Sequence, residues 1–372
     1  MVIHFSILAV ILIVSLLYEY RIRSFAISCV NNGDRFKTRS WPWLLVFGYI
    51  AFIVAMRTNT NDTYAYIHSF QNLEPTWHAF REQVASAEFG KDWAFDAVSI
   101  LFKILISDDY HLWFAMYATI ESLLFVYILR RYSVSLLDSC FFLFCSSLYY
   151  DYFSMMRQWF AVVVLFAAST LIKDKKFLKY LLICVFVAQF HASAYFMILV
   201  YFLVNGKPWS TKQLLLIVSF AASMLFLKPI LDGMEEVLVD TTYDYAIEAM
   251  NSDAGSSFIR AFIAAVPVLL AFLHRREIDD SMVNICINMS LLNFLLNILA
   301  TFTSGLYIIR FATYIDVFNL ILYPYLLNVV IKGDNRKILK TGFYVIYLIL
   351  YIYQMKHQGA FYYGSDILGT FT

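Results

Sequence analysis

Long apolar blocks alternate with short polar ones along this chain. The blocks are too long for strands and too continuous for the one-sided stripe of a soluble helix. A helix needs about 20 mostly apolar residues to cross hydrocarbon, with a range of roughly 17 to 25. Candidate spans centre on residues 3–18, 41–56, 110–129, 136–150, 157–172, 177–190, 192–204, 213–230, 258–273, 282–303, 310–331 and 341–355. The pattern predicts an all-α integral membrane protein with about 12 transmembrane helices, within a range of roughly 11 to 14. The stretch from Phe177 to Val204 is unusual, because its 28 residues lie between two lysine clusters and reach only about 42 Å as one helix. A reversal is expected near Gln189, Phe190 and His191. Two short or re-entrant segments of this kind are tolerated only where they are buried against protein or line a wet cavity.

Composition agrees with that pattern: 61% of residues are hydrophobic, 19% aromatic and only 15% charged, far from the soluble norm. With 28 basic and 27 acidic residues the net charge is +1, so no global field draws in nucleic acid. No repeat or Pro-rich linker marks a boundary, and residues 1–372 read as a single polytopic domain. The run Val2 to Leu17 has no basic n-region and no clear cleavage site, and reads as a retained span. Cys29, Cys140, Cys145, Cys184 and Cys286 show neither a disulfide framework nor metal-ligand spacing. No metal and no cofactor is expected.

Basic residues of short loops stay cytoplasmic. Arg21, Arg23, Arg35, Lys37 and Arg39 put the first loop inside, and the later basic clusters follow by alternation without conflict. Both termini then face outward, which for a bacterial inner membrane is the periplasm. Two outer segments are long. Residues 57–109 carry an apolar-periodic helix (Trp93, Phe95, Val98, Ile100, Leu101, Leu105) expected at the outer interface. Residues 231–257 are acidic and read as a solvated cap.

Nine basic residues fall on the outer side, and Arg57, Arg157, Arg260 and Arg310 stand alone at or near outer span ends. Each has the simple reading of snorkelling to headgroups. Together they suit a lipid-linked phosphate or pyrophosphate, because guanidinium keeps its charge and offers a planar fork of donors. Such a clamp also stabilises charge on a departing pyrophosphate. Three groups nearby are candidate proton acceptors. Asp62 is close enough in sequence to pair with Arg57; Glu88 precedes Phe89-Gly90; His191 sits in the expected reversal beside Ala192, Ser193 and Ala194. Each also has a plain structural reading, as salt-bridge partner, solvated acid and hydrogen-bonded core histidine respectively. Gly-rich phosphate loops, HExxH, GxSxG and DxD pairs are missing, which argues against a nucleotide donor. Asp108-Asp109 and Asp279-Asp280 read as solvated loop acids.

In order along the chain come Arg57 with Asp62 and Tyr64, then Glu88-Phe89-Gly90, Met156-Arg157-Gln158-Trp159-Phe160-Ala161, Phe190-His191-Ala192-Ser193 and Arg310-Phe311-Ala312-Thr313-Tyr314. This succession resembles the EpsG-like branch of the Wzy-type polysaccharide polymerases, over about residues 50 to 330. Asn61 departs from the pattern, since the family more often has glycine there. The resemblance implies a fold like that of lipid-dependent membrane glycosyltransferases (GT-C-like), with an outward-facing cavity. It also implies transfer of a glycan from undecaprenyl pyrophosphate onto a lipid-linked repeat unit at the periplasmic face, for O-antigen, capsule or exopolysaccharide. Arg157 and Arg310, with Arg57 and Arg260, would hold the pyrophosphate or glycan, and His191 or Asp62 would accept the proton. Glu88, Tyr64, Gln158, Trp159 and Tyr314 would line the substrate path. A chain-length regulator is the kind of partner such polymerases often have. A flippase for lipid-linked sugars would use the same arginines without breaking a bond, and an O-antigen ligase differs only in acceptor. A membrane acyltransferase is disfavoured because His191 has no acidic partner near it in sequence.

Overall fold

The apolar blocks fold as helices throughout. A computed structural model describes residues 2–22, 39–87, 92–225, 256–303, 305–357 and 362–370. Apart from isolated bridges at Asn59–Gly364 and Ser365–Thr370, these residues form helices and connections and no strand. The first helices are α1 (Val2–Ile22) and α2 (Ser40–Ala55), followed in the expected outer segment by α3 (Thr63–Asn72), α4 (Trp77–Ala85) and α5 (Trp93–Leu105). Next come α6 (Tyr110–Tyr132), α7 (Leu136–Cys145), α8 (Ser147–Ser154), α9 (Met156–Ala167) and α10 (Ser169–Lys173). Then follow α11 (Phe177–Ala188), a 3-10 turn (Ala192–Tyr195), α12 (Phe196–Val204) and α13 (Thr211–Leu225). The last described helices are α14 (Phe258–Leu273), α15 (Ser281–Phe302), α16 (Gly305–Asp316), α17 (Asn319–Tyr325) with a π turn (Leu326–Val330), and α18 (Asp334–His357). Glu88-Phe89-Gly90 and nearly all of the expected acidic cap at 231–257 lie outside the described residues.

Several helix starts are set by one polar side chain. Asp109 accepts from His111 N at 2.8 Å, and Asp280 accepts from Met282 N at 2.7 Å and Val283 N at 3.1 Å. These two acids, which read as solvated in the sequence, are N-caps that satisfy otherwise orphaned N–H groups. Pro324 shows the opposite problem. It has no N–H to give the carbonyl of Leu320, and the Ser139 hydroxyl donates to that carbonyl instead, at 2.7 Å.

Among the described residues, four helical stretches are long and apolar enough to cross a membrane: Tyr110–Tyr132, Met156–Lys173, Ser281–Phe302 and Arg336–Met355. A fifth results if Ile308–Asp316 and Asn319–Val330, bent by 49°, count as one span. All twelve apolar blocks are helical where described, and most of the remaining apolar stretches are only 10–17 residues long. Among the described residues, length and composition by themselves carry four to five spans. The reversal expected near His191 is present: Phe177 and Tyr180 lie 5.0 and 5.5 Å from Tyr201, ring centre to ring centre, so α11 and α12 run back along each other.

Two apolar clusters hold the helices. The larger joins α1 and α2 to α6 to α9, α11, α12, α15, α17 and α18. At the end that the loop charges assign to the outside, a second, aromatic cluster docks α3 and α5 onto α6 and α9. Phe70 stacks on Trp113 at 4.5 Å, and Phe95 lies 5.5 Å from both Trp113 and Tyr117. Lys103 then caps α3, donating to the carbonyls of Leu73 at 2.6 Å and Phe70 at 3.1 Å. At the opposite end Asp138 is fully buried and accepts from Lys340 at 2.9 Å, Asn328 at 2.5 Å and Tyr344, which ties α18 to α7.

Candidate functional site

The chain enters α5 through Asp92, whose φ of 50° is left-handed, a conformation that aspartate tolerates better than most residues. Gln189, at the end of α11, pins this start: its side chain accepts from Trp93 Nε1 at 2.8 Å and its carbonyl from Ala94 N at 3.0 Å. Asp92 is thereby held against the reversal. One carboxylate oxygen accepts from Ala192 N at 2.8 Å and the other lies 3.1 Å from His191 Nδ1. A carboxylate only accepts, so Nδ1 is the donor in this contact, which leaves Nε2 as the ring nitrogen that can exchange a proton with substrate.

Arg157 completes the cluster. It stands in the first turn of α9, where the backbone break at Met155 ends α8. Its guanidinium lies 3.6 Å from Asp92 and 5.6 and 6.0 Å from the ring centres of Phe95 and Tyr66. The three side chains remain reachable, with Arg157 41%, His191 24% and Asp92 21% exposed. Asp96, one turn along α5, is also within range of Arg157. Burial pushes its carboxyl above the usual range, Arg157 opposes that shift and Asp92 adds to it. Burial likewise raises the Tyr66 phenol, against the pull of Arg157. The arrangement can take a proton on an oriented imidazole and hold negative charge on a half-exposed guanidinium within a few ångströms.

The sequence model of the EpsG family matches residues 40–365. The chain belongs to the EpsG family. No curated protein and no solved structure matches it significantly. The matched region contains Asp92, Arg157 and His191, and with its apolar helices this EpsG member is a membrane protein.

The other candidates separate. Gln158 is buried and its amide donates to the carbonyl of Arg310 at 2.5 Å, while Tyr314 meets Ser193 at 3.0 Å, so α16 is stitched to α9 and to the His191 turn. Arg310 is half-buried there, and Arg310 and Arg260 both act electrostatically on Asp151. Arg260 lines a cavity on another face of α16. Trp159 is fully buried among Phe125 and Tyr152, where it packs.

Arg57 turns inward. It is 1% exposed, donates to the Val54 carbonyl at 2.6 Å and to Thr63 Oγ1 at 3.1 Å, and lies 4.2 Å from the Phe114 ring centre. It spends its donors closing α2 onto α3. Asp62 is exposed one residue before α3, and Tyr64 is 73% exposed. Asn61 adopts φ 48°, so asparagine supplies the left-handed turn that glycine would make easily, and its amide also reaches Ser154. Asp92 was the residue that sequence reasoning missed. Its one local signal is its place before an amphipathic helix, and its partner lies 99 residues away.

Proposed function

We propose that this EpsG protein is a polysaccharide polymerase of the bacterial inner membrane, working at the periplasmic face on undecaprenyl-pyrophosphate-linked glycans. The observation that carries the reading is the Asp92–His191 contact at 3.1 Å, with Arg157 3.6 Å from the same carboxylate oxygen, in a chain of this family. The acceptor unit's hydroxyl oxygen attacks the anomeric carbon of the donor glycan. The bond from that carbon to the pyrophosphate oxygen breaks, and its electron pair leaves with undecaprenyl pyrophosphate. The hydroxyl proton passes to His191 Nε2, a contribution worth roughly 10²- to 10⁴-fold in rate. Asp92 holds the ring and stabilises the imidazolium that forms, as carboxylates do in other histidine-based sites. Arg157, with Arg310 behind it, stabilises the departing pyrophosphate. Arg57 is too deeply enclosed for that role. A GT-C-like arrangement of about 12 spans belongs to the same reading.

A flippase would use Arg157 to bind and has no need of an oriented base. The acidic partner of His191, absent from the local sequence, exists in the fold, and family membership alone disfavours acyl transfer.

The test is the glycan ladder of a deletion strain complemented with wild type, Arg157→Ala or His191→Ala, with membrane levels of each protein measured alongside. Single repeat units on the lipid carrier or its acceptor, and variants present but unable to restore the ladder, are the expected outcome. Lipid-linked units trapped on the cytoplasmic side would replace polymerisation with flipping.

A further inference from the structure

Across α16 from His191 lies a cavity of about 450 Å³, lined by residues at α8, α14, α15, α16, α17 and α18, within the roughly 300–1,000 Å³ of small-molecule sites. The helix has two working faces: Phe311 and Tyr314 meet the His191 side, through Phe196 and Ser193, while Ile309, Ala312, Thr313 and Asp316 face the cavity. Its lining is polar for a space inside a helical membrane protein. Asp316 accepts from Asn293 and Asn319, both at 2.8 Å, through one oxygen, and Asp151 accepts from Thr313 at 3.1 Å through one oxygen. Asn319 and Gln354 are 6% and 7% exposed, yet the carbonyl oxygen of each amide has no hydrogen-bond partner among the described residues. A buried polar atom left unpaired is costly, and two of them on one cavity wall indicate a guest that completes them.

The chemistry of the guest follows from the kind of group left open. The two open amide oxygens accept hydrogen bonds and donate none, so the wall asks for donors. Phosphate oxygens are acceptors, and Arg260, the one basic side chain among the described residues of the wall, acts electrostatically on Asp151 and Asp316, so a pyrophosphate does not fit. Sugar hydroxyls donate and accept. We propose that this cavity is a saccharide subsite, in which Gln354 and Asn319 accept hydrogen bonds from hydroxyl groups of a lipid-linked repeat unit and Asp316 and Asp151 stand on the same wall. This rests on the polymerase reading. It assigns sugar to one side of α16 and phosphate to the other.

The experiment uses the full chain in lipid nanodiscs and, as probe, the lipid-free repeat-unit oligosaccharide obtained by depolymerising the host's own polysaccharide, with binding read by calorimetry and saturation-transfer NMR. Gln354→Met removes an open acceptor at equal volume, and Ala264→Phe fills the cavity while leaving every polar group in place. Wild type and Arg157→Ala are expected to bind alike, and each cavity variant to bind at least about tenfold more weakly. The melting temperature of Gln354→Met is expected to be unchanged or raised, because an unpaired buried acceptor is gone. No binding to wild type, or binding within about twofold of wild type in both folded cavity variants, would overturn the proposal and leave the space to water. The two readings fail separately. Saccharide binding indifferent to both variants, with a ladder lost in Arg157→Ala, removes the subsite and keeps the polymerase. Binding lost in both variants, with lipid-linked units trapped on the cytoplasmic side of a deletion strain, keeps the subsite and removes the polymerase.

Discussion

Arg57 and Arg157 look alike in the sequence, each an isolated arginine at the outer end of an apolar block, and the fold uses them in opposite ways. Arg57 is enclosed by Phe114, the Val54 carbonyl and Thr63, and among the described residues it is the one cation that acts on Glu121, an acid 3% exposed in the middle of α6. Arg157 has one ion-pair partner, two aromatic neighbours and 41% of its side chain open. An arginine enclosed among its partners holds a fold together, whereas one left partly open beside an oriented histidine is free to bind substrate. Residue type and span-end position do not distinguish the two; the direction of the side chain does.

The largest expected effect breaks the comparison at its structural end. Arg57→Met leaves the Val54 carbonyl and the Thr63 hydroxyl buried without their donor, and each group left unsatisfied costs about 1–3 kcal/mol. The variant is expected to fall to low levels in the membrane and, where it can be purified, to melt far below wild type. Arg57→Met with Glu121→Gln is expected to recover little of that loss, because among the described residues no ion-pair contact joins Arg57 to Glu121. A double variant close to wild type would mean that Glu121, and not the carbonyl and Thr63 contacts, is what Arg57 serves.

The next effect belongs to the other arginine. Removing one group that stabilises transition-state charge costs roughly 10²- to 10³-fold in rate, and Arg157→Ala is expected to lose about that much polymer synthesis with membrane level and melting temperature near wild type. Arg157→Lys should recover little, because an ammonium lacks the planar fork. Asp92→Asn sharpens the point: it keeps the acceptor for Ala192 N but removes the charge facing His191 and Arg157, so activity should fall while the fold stays.

Much of this was legible in the sequence, and the parts that were not share a cause. The helical blocks and the reversal at His191 follow from hydropathy and from a run with the wrong length for its flanking lysines, both local signals. The count of about 12 spans rests on apolar blocks, whereas length and composition by themselves mark four to five spans among the described residues, because helices such as α7, α11 and α12 are apolar but short. Asp92, Asp151 and Asp316 were invisible because an acid acquires meaning here only from partners on distant helices. The Ser139 hydroxyl that answers Pro324 was unreadable for the same reason, with 181 residues between donor and acceptor.

The smallest effect concerns the turn that sets Arg57 in place. Thr63 bridges Arg57 Nε, at 3.1 Å, to the Thr60 carbonyl, at 2.5 Å, and the chain between them passes through Asn61 at φ 48°. A β-carbon is disfavoured in that conformation by about 1–2 kcal/mol, a cost that asparagine bears better than other side chains and glycine escapes. Asn61→Gly is therefore expected to lie within about 0.5 kcal/mol of wild type, the relief of strain offsetting the lost bond to Ser154. Asn61→Ala keeps the strain, loses the bond and is expected to cost about 1 kcal/mol. Thermal melts of the three proteins side by side decide it. If alanine is tolerated as well as glycine, the left-handed turn contributes nothing to holding Arg57, and the enclosure by Phe114 and the Val54 carbonyl suffices.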